Sequence, residues 1–136
     1  MVHALEAVHR LLAPGGLLID LHPSGEPPPV VVRAGTAEHL AGWVEEEDDY
    51  REYELATAAL DTAVARGLFR FVRHSAFTFA TYTDTIDDLL CFFALDWHDA
   101  SVSPQTLGNI ENWQRTAVDS EIIVREIVSI SALTPR

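Results

Sequence analysis

Val2-His3-Ala4-Leu5-Glu6-Ala7-Val8-His9-Arg10-Leu11-Leu12-Ala13-Pro14-Gly15-Gly16-Leu17-Leu18-Ile19-Asp20-Leu21 is the stretch on which the fold turns. Val2, Leu5, Val8 and Leu12 recur at helical spacing, so this segment reads as a short amphipathic helix. Pro14 cannot continue a helix, and Gly15-Gly16 permits a left-handed turn, so the helix stops there. Leu17 to Leu21 follows as a nearly unbroken apolar run. Such a run suits a strand covered on both faces, as in a parallel sheet. The helix starts at Met1 with no capping residue and no strand before it, as if the chain opened in mid-fold.

Working outward, Pro23 to Pro29 is a loop with Gly25 and three consecutive prolines. Val30-Val31-Val32 and Leu40 to Val44 read as two short strands around Gly35-Thr36, a small hairpin. The acidic run Glu45 to Asp49 leads into a helix over residues 50–66, with Tyr53, Ala56, Leu60 and Val64 as its stripe. Asp49 is the expected cap, with Glu52 three residues on, and Arg66-Gly67 is the stop. Leu68 to Ala80 alternates, with Phe69, Phe71, Phe77 and Phe79 on one face and Arg70, His74 and Thr78 on the other; this predicts a long strand with one buried face. Ile86, Leu89, Leu90, Phe93, Ala94 and Trp97 mark a helix over 84–97. Ser103-Pro104 opens another. Glu121 to Leu133 is a β-branched strand with apolar residues on both faces, which suggests a central position.

Composition narrows the function classes. The chain has 136 residues, 48% of them apolar, and a formal net charge of −12. That is one domain's worth of chain. Nucleic acid needs clustered positive charge, and anionic membrane disfavours this much negative charge. The N-terminus makes a poor signal peptide, because Glu6 and two histidines interrupt it. One cysteine allows no internal disulfide, so a reducing, cytoplasmic setting fits best. All nine basic residues are arginine, which excludes lysine chemistry.

The segment from Ala4 to Ile19 resembles the helix–R-x-L-x-P-G-G–strand segment of class I S-adenosylmethionine-dependent methyltransferases. In that family it enters the fifth strand of a seven-stranded Rossmann-like sheet. The resemblance implies that 68–80 is the sixth strand and 121–133 the antiparallel seventh, inserted between the fifth and sixth. The implied fold class is therefore partial α/β: one domain over 1–136, the C-terminal half of a methyltransferase sheet, with a hairpin insertion over 23–48. The family's glycine-rich loop and its acidic ribose ligand have no counterpart here. The chain thus resembles a methyltransferase without the half that holds S-adenosylmethionine: a truncated reading frame, a split gene product or a derived pseudo-enzyme. No cofactor and no self-sufficient catalysis are expected of the chain alone. A strand deprived of its neighbour exposes an edge, so a homodimer, or a partner supplying the missing half, is expected. The rival reading is a free-standing α+β domain that binds a small apolar ligand or dimerises.

Five residues are candidates for a substrate cleft. Asp20 and His22 lie at and just past the carboxyl end of the first strand, where open α/β sheets bind ligands. A carboxylate and an imidazole there suit substrate positioning or proton removal. The alternative is a loop-capping Asp and a solvated His. Trp43, Tyr50 and Tyr53 line a substrate cavity or else pack hairpin against helix. The six histidines and Cys91 show no metal-ligand spacing, so no metal site is expected. Cys91 reads as a core residue, and Glu45–Asp49 as a solvated face.

Overall fold

The proline-glycine turn forms as its sequence requires. In the computed structural model, which describes residues 1–136, helix α1 (Val2–Leu11) ends with the Leu12 N–H on Val8 O. Gly15 takes φ +77°. The chain then enters β1 (Leu18–Pro23). After it come β2 (Pro29–Ala34), β3 (Ala37–Glu46), α2 (Arg51–Ala65), β4 (Phe69–Thr83), α3 (Ile86–Asp96), β5 (Ala100–Val102), α4 (Pro104–Arg115) and β6 (Ser120–Pro135). The protein is thus mixed α/β. Its strands are hydrogen-bonded in the order β1-β6-β2-β3-β5, with β4 also on β6. The chain divides into two compact units. Residues 1–25, 51–77 and 127–136 form the first, and 26–50 and 78–126 the second.

In the first unit β6 lies between β1 and β4. It is antiparallel to β1, with Leu18 opposite Leu133, Asp20 opposite Ser131 and His22 opposite Ser129. It is antiparallel to β4 as well: the Arg136 N–H bonds to Leu68 O, while His74 bonds to Ser131. β1 and β4 are therefore parallel to each other. Between them in the chain stands α2, which makes a crossover of the kind that joins parallel strands. Leu60, Ala63, Phe69 and Leu133 form the core, and Leu5, Val8, Leu12 and Leu18 pack against it. Both helices thus bury their apolar stripes on the Leu18–Leu133 face. Gly67, with φ +76°, turns α2 back into β4.

In the second unit the β2–β3 hairpin turns at Gly35, φ +63°, and carries a bulge between Val30 and Val31. It is more than an insertion, because β2 also pairs with residues 120–124 of β6. β5, absent from the sequence reading, pairs with β3. Val30, Val32, Ala41, Val44, Ile122 and Val124 meet Leu89, Phe93 and Ile110 of α3 and α4. Thr85 caps α3 and Ser103 caps α4, each accepting a backbone N–H from the third residue on. Trp43, Trp97 and Trp113 all belong to this unit.

Several expectations need correction. Leu17 to Leu21 is not covered on both faces. Leu17, Ile19 and Leu21 are 53–57% exposed, because both helices of the first unit pack on the Leu18 face. Phe69 alone of the four β4 phenylalanines is buried; Phe71, Phe77 and Phe79 are exposed, since β4 is an edge strand along most of its length. On α3 the buried stripe is Leu89 and Phe93 with Phe92 beside it, while Leu90 and Ala94 face out. Cys91 is exposed and is not a core residue. The helix after the acidic run is not capped by Asp49. Instead the Asp48 carboxylate accepts the Tyr50 N–H at 3.0 Å, and Asp49 and Tyr50 both take positive φ.

Candidate functional site

One face of the β1–β6 ladder changes character along its length. At one end, Leu18 opposite Leu133 seals the core. One step on, Asp20 faces Ser131, and then His22 faces Ser129. Strand periodicity puts all six on one side, so the same alternation that builds the core also lays down a polar row. From α2, Tyr53, Thr57, Leu60 and Asp61 stand at i, i+4, i+7 and i+8, which is one helix face. Leu60 plugs into the core, and Thr57 reaches the polar row.

The result is a hydrogen-bonded chain of side chains. His22 Nδ1 lies 2.6 Å from Asp20 Oδ2. A carboxylate only accepts, so Nδ1 carries the proton. With the ring neutral, Nε2 carries the lone pair, and it lies 3.1 Å from Thr57 Oγ1. The Thr57 hydroxyl donates to Tyr53 O at 3.2 Å. Across the same space, His74 Nδ1 and the buried Ser131 hydroxyl are 2.9 Å apart. His22, Thr57, Leu60, Asp61, Phe71, His74, Ser129 and Ser131 line a cleft of about 310 Å³. Chemically, an oriented imidazole with a hydroxyl on its open nitrogen is a proton-accepting device.

Two of the five predicted cleft residues, Asp20 and His22, come together here, but inside β1 rather than at and past its end, because the ladder with β6 continues to Pro23. Tyr53 contributes its backbone carbonyl. Trp43 and Tyr50 lie in the second unit and line a separate hollow of about 590 Å³ with Glu26, Glu45, Glu46 and Asp49. The Trp43 ring is half exposed, whereas Tyr50 is buried and donates its hydroxyl to Val44 O at 2.5 Å. Thr57, His74, Ser129 and Ser131 were not foreseen as a site. Their signal was present: two serines interrupt a β-branched run at alternate positions, and His74 interrupts a phenylalanine-rich strand.

The one group of potential metal ligands is Glu46, Asp48 and Asp99, whose ligand atoms lie within 4.8 Å of one another. Glu46 already accepts the Trp97 indole N–H at 2.7 Å. The six histidines take no part in this group. His3 pairs with Glu6, and His39 stacks on Trp113 with ring centroids 3.7 Å apart. No helix is long and apolar enough to cross a membrane. Compared with family models, curated proteins and solved structures, the chain matches none.

Proposed function

We propose that this chain corresponds to the C-terminal, substrate-side part of a class I S-adenosylmethionine-dependent methyltransferase, and that it does not hold the methyl donor by itself. One observation carries the reading: the Pro-Gly-Gly turn feeds β1, and β6 runs antiparallel between β1 and β4. That is the fifth–seventh–sixth order implied by the Ala4–Ile19 segment. Two features support it. His22 stands near the carboxyl end of β1, where such sheets receive substrate, with Asp20 two residues before it inside the strand. The opposite face of β1, with Ile19 and Leu21 more than half exposed, is bare where a doubly wound sheet carries further layers. The reaction class is methyl transfer, and the donor is the business of the glycine-rich half.

The test is calorimetric titration of the chain with S-adenosylmethionine. No heat of binding is expected. Micromolar binding overturns the proposal that the donor site lies outside this chain. The positive arm mixes the chain with the glycine-rich half of a class I methyltransferase and follows transfer of a labelled methyl group. A second reading, a free-standing α+β ligand-binding domain, is favoured by the cleft itself, which is complete within one unit. Under either reading β1 ends the strand path with one edge unpaired. We therefore propose that a second copy of the chain, or the missing half, adds to that edge.

A further inference from the structure

The lining of the His22 cleft restricts what enters it. It offers hydrogen-bonding groups on His22, Thr57, His74, Ser129 and Ser131, and an apolar surface on Leu60 and Phe71. It offers no arginine, and its one further charge is the Asp61 carboxylate. A phosphate or carboxylate would enter against that charge with no arginine to meet it. A fully apolar ligand would strand the polar row without partners. The fitting ligand is neutral, with a hydroxyl at one end and an apolar body. At about 310 Å³ the cleft stands at the lower limit of small-molecule sites, which suits a single ring.

The Thr57 hydroxyl marks where the ligand's hydroxyl would go. It lies 3.1 Å from His22 Nε2 while donating its one proton to Tyr53 O at 3.2 Å. With that proton already satisfied by the carbonyl, yielding Nε2 to a ligand leaves no orphaned hydroxyl and costs little. We propose that this cleft binds a small hydroxyaromatic compound with its hydroxyl on His22 Nε2, and that His22, held by Asp20, takes the proton. The ligand's O–H bond breaks, an N–H bond forms at Nε2, and the electron pair stays on oxygen as phenolate. The resulting imidazolium is balanced by the Asp20 carboxylate 2.6 Å from Nδ1. That the phenolate next attacks a methyl sulfonium rests on the methyltransferase reading. The binding and the proton transfer do not.

4-Nitrophenol separates the two, because its phenolate absorbs visibly and its neutral form does not. The full chain is titrated with it at a pH below the free dye's own ionisation. The expected result is saturable binding with a phenolate band in the bound dye. His22→Gln should still bind the dye but lower the phenolate fraction by roughly tenfold, the effect of one unit of pKa. Thr57→Val, which removes the competing hydroxyl, should keep the band or raise it. Should circular dichroism show that His22→Gln has lost its fold, Asp20→Asn supplies the same comparison. Absence of binding, or a band equal in the parent and in the folded His22 or Asp20 variant, overturns the proposal. Neither outcome touches the S-adenosylmethionine titration, so the two readings fail separately.

Discussion

Gly42 on β3 packs directly against Thr106 of α4, and replacing it with alanine measures how tightly that layer is packed. A Cβ built there would lie 2.0 Å from Thr106 Oγ1, 2.8 Å from its Cγ2 and 2.9 Å from its Cβ. Thr106 is buried and sits in the first turn of α4, with its N–H on the Ser103 hydroxyl. Rotating the Thr106 side chain cannot clear all three contacts, because its Cβ moves only with the backbone. The helix must shift, and with it the Asn109 side chain, which donates to Ala41 O at 2.8 Å. Overpacking of this kind costs ~1–3 kcal/mol. Stiffening the unfolded chain returns ~0.4–1 kcal/mol. Gly42→Ala should therefore lose ~1–2 kcal/mol, a fall in Tm of roughly 3–10 °C for a chain of this length. Thr106→Ala in the same chain removes the two closest contacts and leaves the third, so the double variant should recover part of the loss. The assay is thermal and urea unfolding of the four members of the cycle. Additive losses, or a Gly42→Ala variant as stable as the parent, would refute the reasoning.

Three further outcomes follow from named contacts. Ser103→Ala removes the hydroxyl that accepts the Thr106 N–H, and should cost ~1 kcal/mol in urea unfolding. Burial pushes the Glu126 carboxyl above its ordinary value of 4.5. The folded state then binds that proton more readily than the unfolded state, so Glu126 weakens the fold as pH rises through the raised value. Glu126→Gln should be more stable than the parent at neutral pH, and the difference should close below the ordinary value. If a second copy adds to the free edge of β1, sedimentation equilibrium should show a concentration-dependent dimer, weakened by Leu21→Lys. A clean monomer across the micromolar range counts against self-association.

The parts of the fold legible in the sequence are those governed by short-range chemistry. Pro14-Gly15-Gly16, Ser103-Pro104 and Gly67 marked their turns because each acts through its own φ or capping group. The strand character of 121–133 was legible from β-branching and two-faced apolarity, which a strand flanked on both sides retains. Burial on β1 and β4 was not legible. Leu17, Ile19, Leu21, Phe71, Phe77 and Phe79 are apolar enough for a core yet stay 40–57% exposed, and periodicity does not say which face a helix will choose. Asp20 and His22 were found because polar residues interrupting an apolar run are a local signal, although β1 runs on to Pro23 and both lie inside it. Thr57 and Ser131 were missed because their partners lie 35 and 57 residues away. The stripe assigned to α2 hid Thr57 next to Ala56, and only the β1–β6 register turns the alternate serines into a row.

The three tryptophans have an experimental consequence. Trp43, Trp97 and Trp113 all sit in the second unit, and none lies among residues 1–25, 51–77 or 127–136. Indole fluorescence is therefore a local reporter, blind to melting of the α1–β1–α2 portion, whereas far-ultraviolet dichroism registers all four helices. Coincident denaturation curves from the two signals would identify a single cooperative transition. Curves that separate would rank the two units by resistance to denaturant without a label being introduced.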